Sequence, residues 1–471
     1  MNDRSGTPKD PRLSRRRFLG RSATAAAGLA LGPVVLNLSA CGTGKAAATD
    51  AGEDILPVDV PPIDSGPVDT GHDPGPADHG TPDAGQDLHE AEVAAPVAGM
   101  DDVVLALHSS ADAGTPAEAV RKVCEFLDFS WMKEGDTVFV KLAVNSGKPH
   151  PATTAPAAVT AMVAELYARG AKKVIVGDQS GVENVRLAEG DQRFSSTYAC
   201  LDTSGLLGAI QKAGAEDHCF DDKGYDTGYF PATWSLGETN WKKPVYIANI
   251  VKEVDHIVYL PRISSHAIAG YTNALKCSIG WLRDDSRCHL HTDGATIYEK
   301  WVEVNYVDEI RSKLRLVLTL AESALLDYGP DEGTVTLLDP WMIVASGNLA
   351  HHDAVTSAIG LYLDRVIPKT WGGQVHDPSL VDSYNKMLVS AVAVTATGIP
   401  WGDGSEEYTH VVPSPWEDGI LSDRALVRAF ELNGGKPGSI SVHLRGMDLD
   451  ANLKAFIEKH GEGIVGFVAK A

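Results

Sequence analysis

Residues 135–145 read GDTVFVKLAVN and residues 171–180 read AKKVIVGDQS, and these two stretches decide the fold. Each contains the short, continuous apolar run that is typical of a strand buried on both faces. Between them, residues 155–168 carry apolar side chains at helical spacing, and Gly170 follows as a helix stop. Strand, helix and strand in this order predict two parallel strands joined by a crossover helix.

The same alternation of strands and helices continues on both sides of this unit. A strand is predicted over 103–107, and Thr115 followed by Pro116 predicts a helix start. Further strands are predicted over 244–247, 256–260, 334–338, 341–346 and 439–444, and further helices over 205–213, 308–326, 353–362, 383–396 and 451–459. We therefore predict an α/β fold with a mostly parallel sheet, helices on both faces, and a C-terminal region that completes or covers the sheet.

The N-terminus has the pattern of an export signal. Arg15 and Arg16 belong to the stretch SRRRFLG, which precedes a weakly apolar run that ends in LSAC at Cys41. A run of arginines before Phe-Leu is typical of twin-arginine signals, and a cysteine at the end of the apolar run is typical of a lipoprotein cleavage site. We predict that residues 1–41 are such a signal and that Cys41 is lipidated. An ordinary cleaved signal and an uncut anchor are the alternatives.

This signal predicts where the chain resides. The twin-arginine translocase would export it, and the lipid on Cys41 would hold it in the cell envelope, facing the periplasm or the cell surface. Because that translocase carries folded proteins, the signal is also a hint that a cofactor is inserted in the cytoplasm.

Composition divides the rest of the chain. Residues 42–99 consist mainly of Ala, Asp, Pro, Gly and Thr, and they are predicted to form a disordered acidic tether. The folded domain is predicted over 100–366, with 367–471 as its C-terminal extension. The net charge is −22 and no basic stretch follows the signal, so nucleic-acid binding is not expected.

Polar side chains follow several predicted strands at the point where each apolar run ends. Ligands of open α/β sheets bind beyond these ends, so one crevice is the expected site. Each residue also has a structural explanation, such as a cap or a surface charge. The predicted site residues are Lys141, Asn145, Asp178, Arg262, His266, Lys276 and Asp353.

A second candidate is the segment DDSRCHLHTD, residues 284–293. Cys288, His289 and His291 are suitable ligands for zinc, iron or nickel, and in a strand the two histidines would share one face. The alternative is a polar loop that shapes the crevice, because no Cys-x-x-Cys spacing accompanies the histidines.

Five cysteines remain if Cys41 carries a lipid. Export would permit disulfides, and Cys200 with Cys219 is the predicted pair. Cys124 lies on an apolar helix face and is predicted to be a core residue.

Several of these stretches resemble a bacterial and archaeal family, domain-of-unknown-function family 362. The resemblance is carried by GDTVFVKLAVN, ARGAKKVIVGDQS, DHIVYLPRISSHAIAGYTNALKCSIG, LDYGPDEG and WMIVASGNLAHHDAVTSAIG. It implies a shared α/β architecture over about residues 103–363, and it implies that Lys141, Asp178, His266, Lys276 and Asp353 occupy the family's characteristic positions.

The chain departs from the family in three places. Ser264 replaces the family's Lys before the histidine, and Cys277 replaces the Asn after Lys276. Some members carry a ferredoxin-like domain with closely spaced cysteines, and that spacing is missing here, so an intrinsic iron–sulfur cluster is not expected. The resemblance supplies positions but no reaction.

The leading hypothesis is an envelope enzyme, redox or metal-dependent, that acts on a small anionic molecule. His266 would be the general base or a metal ligand, while Lys141, Lys276 and Arg262 would neutralise the anion. Asp178 and Asp353 would orient these groups, and Asn145 would join Arg262 in contacting a cofactor, for which a transition metal is one option. The alternatives are a lipid-tethered binding protein without catalysis and a scaffold.

Several common catalytic classes are disfavoured by missing motifs. The chain contains no Gly-x-Ser-x-Gly elbow, no Walker loop and no strand-linked Gly-x-Gly-x-x-Gly. These absences weaken the hydrolase, NTPase and classical dinucleotide interpretations.

Overall fold

A computed structural model describes residues 99–368, 378–392, 398–399, 401–402 and 407–468. The predicted signal with Arg15, Arg16 and Cys41, and nearly all of the predicted tether, lie outside the described residues. Within those residues, no helix is long and apolar enough to cross a membrane.

The strands are numbered in chain order. They are β1 (Val103–His108), β2 (Thr137–Leu142), β3 (Lys173–Asp178), β4 (Arg186–Ala188), β5 (Gln192–Phe194), β6 (Glu216–Cys219), β7 (Tyr229–Pro231), β8 (Tyr246–Ala248), β9 (His256–Leu260), β10 (Ser264–His266), β11 (Gly270–Thr272), β12 (Leu314–Leu326), β13 (Thr334–Ser346), β14 (Ile440–Gly446) and β15 (Val465–Val468).

The α-helices of the described residues are numbered in the same way. They are α1 (Ser110–Ala113), α2 (Pro116–Cys124), α3 (Pro156–Ala168), α4 (Thr197–Thr203), α5 (Leu206–Lys212), α6 (Ala274–Cys277), α7 (Asp284–Thr292), α8 (Ile297–Asn305), α9 (Asp308–Arg311), α10 (Leu349–Val366), α11 (Pro378–Val392), α12 (Arg424–Leu432) and α13 (Ala451–His460).

One large sheet organises the fold, with strand order β15-β14-β1-β13-β12-β9-β2-β3-β6. Only β13 runs antiparallel to its neighbours β1 and β12, and the other six neighbouring pairs on this path are parallel. The hairpin of β10 and β11 extends the sheet beside the end of β12. The predicted α/β fold with a mostly parallel sheet is therefore confirmed.

Helices cover both faces of this sheet because its central strands are apolar on both faces. In β2, Phe139 packs into one hydrophobic core while Val138 and Val140 pack into the other. The core under Val138 also contains Val159 of α3, and the opposite core contains Val355 of α10. The continuous apolar runs that predicted two-sided burial thus give a three-layer molecule.

The C-terminal region completes the sheet, as predicted. Strand β14 lies parallel to β1, with Val442 opposite Val103, and β15 pairs with β14 at the edge. Ile440, Val442 and Val465 are buried in the same core as Val103. Burial of these side chains means that β14 and β15 help to stabilise β1 in the sheet.

The helix predicted over 308–326 is wrong. Only Asp308–Arg311 is helical, and Leu314–Leu326 is the long strand β12 between β9 and β13. The segment is rich in Leu and Ala, which favour helices, and burial on both sides removes the alternation that marks a strand. The two strands predicted over 334–346 are one continuous strand, β13.

The predicted disulfide between Cys200 and Cys219 is also wrong, since both thiols are free. Both side chains are buried in the same apolar core, beneath the edge of the sheet. Cys124 is a core residue, as predicted.

Candidate functional site

Lys141 is a buried anchor at the end of β2. Its ammonium donates to Asp178 Oδ1 at 2.5 Å, to the Leu142 carbonyl at 2.8 Å and to the Cys277 carbonyl at 3.1 Å. The side chain is 0 % exposed. The surface-charge alternative for Lys141 is therefore wrong, and three oxygen atoms leave its ammonium little room for a ligand.

Asp178 at the end of the neighbouring strand β3 completes this anchor. Its second oxygen accepts a hydrogen bond of 2.8 Å from the Val144 backbone, while burial raises its pKa and Lys141 opposes that rise. Gly280 packs so closely that a Cβ there would overlap Asp178 Oδ1 and crowd Lys141 Nζ. The pair thus holds the chain that follows α6 tightly against the sheet.

Asp353 holds the other end of the short helix α6. From α10, its carboxylate accepts from the backbone nitrogens of Ala274 at 3.0 Å and Leu275 at 2.7 Å. His352 Nδ1 lies 2.9 Å from the same carboxylate, and His352 Nε2 lies 3.0 Å from Thr319 Oγ1. Asp353 therefore caps α6 from a distance, and it is a positioning residue for whatever α6 carries.

Lys276 is the charged side chain that α6 carries. It is half-buried, and its Nζ lies 5.9 Å from the centre of the Trp301 ring. None of the described carboxylates forms an ion pair with it. Burial, with a smaller contribution from the positive charge of Arg262, lowers the pKa of Lys276 to about 7. A large fraction of Lys276 is therefore a neutral amine at neutral pH.

His266 lies on β10, near enough to Lys276 for the charge of that lysine to affect the pKa of the imidazole. Its Nδ1 accepts from the backbone nitrogens of Ile268 at 3.1 Å and Ala269 at 3.3 Å, which assigns the ring proton to Nε2. Burial lowers its pKa well below the usual value, and the charge of Lys276 lowers it further. The remaining ring nitrogen is a donor, which favours a hydrogen-bonding role over the predicted general base or metal ligand.

His291 in α7 has the opposite tautomer. Its Nδ1 lies 2.9 Å from Asn385 Oδ1, and Asn385 Nδ2 donates to the His291 carbonyl at 2.8 Å. This pairing assigns the proton to Nδ1 and leaves a lone pair on Nε2. Burial lowers the pKa of His291 to about 4, and Lys276 adds to that effect. At neutral pH His291 is thus an uncharged hydrogen-bond acceptor.

Arg262 follows β9 and supplies a permanent positive charge. Its Nη1 donates to the carbonyls of Pro151 at 3.1 Å and Pro330 at 2.8 Å, while its buried Nε has no acceptor among the described residues. Burial lowers its pKa to about 10, so it remains protonated. Its charge lowers the pKa of both Lys276 and His266. We call these four coupled groups the basic cluster: Arg262, His266, Lys276 and His291.

Asn145 contacts protein and not open space. Its Nδ2 donates to Asp331 Oδ2 at 2.6 Å, and Ser146 Oγ donates to Asp331 Oδ1 at 2.9 Å. Gly329, at φ +69°, lets this loop approach the Ser265 carbonyl so closely that a Cβ would overlap it. Asn145 therefore fixes the Asp331 loop beside the basic cluster, and its predicted cofactor contact stays a prediction.

The predicted metal ligands do not share a face, because they lie in the helix α7 and not in a strand. Residues two apart in a helix point about 200° away from each other. His289 packs edge-on against Trp241, and Cys288 Sγ donates to the Trp401 carbonyl at 3.1 Å. Within the described ranges, no three His, Cys, Asp or Glu side chains are grouped as a metal site would require.

Three residues of the site were missed by sequence reasoning. Asp331 lies in LDYGPDEG, so the resemblance marked its segment but not its side chain. Asn385 and Trp301 lie in helices with no distinguishing motif, and only the tertiary structure brings them to His291 and Lys276. No signal in the sequence separates such partners from ordinary helix residues.

Comparison with known proteins gives a matching family model and solved structures of low similarity. Residues 138–358 match the family model described as Domain of unknown function (DUF362). No curated protein matches the chain. A solved structure of the lactate racemase apoprotein from Thermoanaerobacterium thermosaccharolyticum is similar at 9% identity with a TM-score of 0.32, covering 72% of this chain and 68% of that chain. That likeness is too low to carry an argument about the site.

Proposed function

Taking the DUF362 domain of residues 138–358 as the premise, we propose that this chain is an exported, lipid-anchored enzyme of the cell envelope. It would act on a small anionic molecule at the basic cluster, and Lys276 would be the reacting group. The export and lipid parts of the proposal rest on the twin-arginine pattern and on Cys41.

The observation that supports the site is the half-buried amine of Lys276, which has no carboxylate partner among the residues that the structure describes. Lysines at protein surfaces have a pKa above 10 and are fully charged at neutral pH, whereas this one has a pKa of about 7. A base or nucleophile works best when its pKa lies near the working pH. Perturbed lysines of this kind are concentrated at functional sites.

The other members of the cluster have complementary roles. Arg262 provides the positive charge that attracts an anion. His266 offers a hydrogen-bond donor at Nε2, and His291 offers an acceptor at Nε2. Because Arg262 stays protonated and both histidines have a pKa well below neutrality, Lys276 is the one group of the four that gains or loses a proton near neutral pH. We therefore assign proton transfer to Lys276 and not to His266, which the sequence analysis predicted as the general base.

A comparison of two lysine variants tests the site. We would measure anion binding by calorimetry and turnover by a metabolite screen, using the purified full chain. Lys276→Met should abolish turnover, whereas Lys454→Met should not, although Lys454 is also half-buried beside an aromatic ring, 5.2 Å from the centre of Phe467. Tight anion binding without any turnover would instead support the lipid-tethered binding protein. Turnover that survives in Lys276→Met would overturn the assignment.

Fractionation tests the cellular part of the proposal. The wild-type chain should incorporate radiolabelled fatty acid and sediment with membranes. Cys41→Ser should lose the label, and a joint Arg15→Lys and Arg16→Lys variant should remain in the cytoplasm. Lipid labelling that persists in Cys41→Ser would contradict the anchor at that residue.

A further inference from the structure

We infer that Lys276 is a covalent nucleophile whose amine condenses with the carbonyl carbon of a small oxo acid to form an iminium. The inference rests on the proposed function, because it names the substrate class of the same site. It goes further in one respect, since the proposed function requires only proton transfer by this residue.

The two lysines of the site have different surroundings, and the difference points to Lys276. Lys141 donates to three oxygen atoms and is fully enclosed, so its nitrogen cannot approach a substrate. Lys276 has no carboxylate partner among the described residues, and its Nζ lies over the face of the Trp301 ring. An amine without hydrogen-bond acceptors keeps its lone pair available when it is neutral.

The backbone that carries Lys276 is held at both ends. Asp353 binds the first backbone nitrogens of α6, and Lys141 binds the Cys277 carbonyl at its last residue. A nucleophile must attack from a fixed position, and this double attachment restricts the motion of a helix only four residues long.

The rest of the basic cluster matches the two functional groups of an oxo acid. The carboxylate fits the charge of Arg262, whose buried Nε has no acceptor within the described part of the chain. The ketone oxygen fits a donor such as His266 Nε2–H, and the lone pair of His291 Nε2 fits the proton that the amine loses. Asp331 adds a negative charge near Lys276, but Asn145 and Ser146 already bind its carboxylate.

The condensation consumes one proton and releases one molecule of water. The neutral amine of Lys276 adds to the carbonyl carbon, the C=O π bond breaks, and a proton moves from nitrogen to oxygen to give a carbinolamine. The C–O bond then breaks, and the oxygen leaves as water with one proton from the amine and one from solvent. The product is a protonated iminium, so the net change is amine plus ketone plus one proton to iminium plus water. No oxidant, reductant or metal is consumed.

The titration of Lys276 supports this chemistry. With a pKa of about 7, Lys276 is a neutral, nucleophilic amine in roughly half of the molecules at neutral pH. An ordinary lysine is neutral in only roughly one molecule in a thousand. Burial and Arg262 cause the shift, so the same positive charge that would bind the carboxylate also keeps the amine reactive.

Borohydride trapping tests the inference. The full chain is incubated with pyruvate and cyanoborohydride at neutral pH, and peptide mass spectrometry locates the reduced adduct. We expect one pyruvate adduct, on Lys276, that is absent from Lys276→Met and retained in Lys454→Met. Acetone, which has the carbonyl but no carboxylate, should label Lys276 at least roughly tenfold less, as the loss of one charged contact implies. Equal labelling of Lys276 and surface lysines would overturn the inference.

A second measurement separates this inference from the proposed function. Lactate has the carboxylate but no ketone, so it should compete with pyruvate for binding and should never be trapped. If anions bind and Lys276→Met loses turnover but no oxo acid is trapped, the covalent step fails and the proposed function stands. If no anion binds and the Lys276→Met variant is as active as the wild type, both fail.

Discussion

At the scale of single residues, the site contains two lysines with different surroundings. The charge of Lys141 is compensated by neighbouring oxygen atoms, and the charge of Lys276 is not. Lys141 is enclosed by a carboxylate and two carbonyl oxygens. Lys276 is half-buried and has no carboxylate partner among the described residues, so burial disfavours its charged form. The two lysines therefore contribute to stability with opposite signs, and each contribution can be measured.

Replacement of Lys276 by methionine should stabilise the protein at neutral pH. Between pH 7 and about 10.5, the unfolded chain holds a proton on Lys276 that the folded chain has released, so wild-type stability rises with pH over that range. The Lys276→Met variant lacks this dependence. Its free energy of unfolding at pH 7 should exceed that of the wild type by roughly 1–3 kcal/mol, after allowance for solvent screening.

Urea unfolding at several pH values checks this prediction. The difference between the two proteins should shrink as the pH approaches 10. Lys454→Met, the half-buried counterpart over Phe467, serves as the matched control. A gap between wild type and Lys276→Met that stays constant with pH would show that Lys276 has an ordinary pKa.

The Lys141–Asp178 pair should show strong coupling in a double-mutant cycle. Lys141→Met leaves the Asp178 carboxylate buried without its cation, and Asp178→Asn leaves a buried ammonium, so each should cost about 3–5 kcal/mol. The joint variant should cost much less than the sum of the two, since no isolated charge remains. Chemical denaturation gives all three values, and simple additivity would contradict the pairing.

Sequence reasoning predicted that these residues lie near one another, but it did not predict their contacts, and their catalytic roles stay predictions. Lys141, Asp178 and Asp353 were predicted as catalytic, and the structure uses all three to hold α6. Strand ends mark a location because sheet geometry brings them together. The role of each side chain depends on its partners, and for His266 the decisive partners are two backbone nitrogens of its own turn.

At the scale of elements, the site depends on a helix that could not hold its shape alone. The four residues of α6 are far fewer than an isolated helix needs in water. Contacts from β2 and α10 replace that missing stability, because Lys141 and Asp353 bind opposite ends of it. Substitutions in β2 or α10 that remove these contacts should therefore alter the position of Lys276, although they do not contact its side chain.

Asp353→Asn should disturb Lys276 at a distance. An asparagine keeps one acceptor for the two backbone nitrogens of α6 but loses the charge, so we expect a loss of about 1–3 kcal/mol in stability and a shift in the pH at which Lys276 reacts with amine reagents. Asp450→Asn is the control, because Asp450 caps α13 through the nitrogens of Asn452 and Leu453. If both variants leave the reactivity profile of Lys276 unchanged, Asp353 has only a structural role.

Prediction of elements succeeded where local signals are strong. The helix start at Thr115 and Pro116 was confirmed, because Thr115 accepts from the Glu118 nitrogen and Pro116 tolerates the first helical position. The failure at Leu314–Leu326 has the opposite cause, since its strand conformation is imposed by β9 and β13. Likewise α7 was taken for a strand or loop because its many polar residues hide a helix buried by tertiary contacts.

At the scale of the whole molecule, we expect the sheet to form only when the C-terminal region is present. A chain that ends at residue 438 would lose β14, α13 and β15. Burial of the side chains of Ile440, Val442 and Ile457 contributes about 1.5–3 kcal/mol each to the free energy of unfolding. Together these contributions approach the total stability of a typical domain. We expect this truncated chain to be insoluble or to lack a cooperative thermal transition, while removal of residues 469–471 alone should leave calorimetric unfolding intact. A soluble, cooperatively folding truncation would show that β1 does not need β14.

The position of β1 in the sheet also limits how early the sheet can form during protein synthesis. It is the first strand to leave the ribosome among the described residues, but it pairs with β13 near Ser346 on one side and with β14 near Val442 on the other. Until those segments emerge, the apolar row of β1 has no neighbour, and the long sequence separation makes this closure slow. The nascent chain therefore cannot finish its sheet until β14 and β15 have left the ribosome. Chaperones that shield an unpaired strand would have to stay bound to β1 until β14 has emerged.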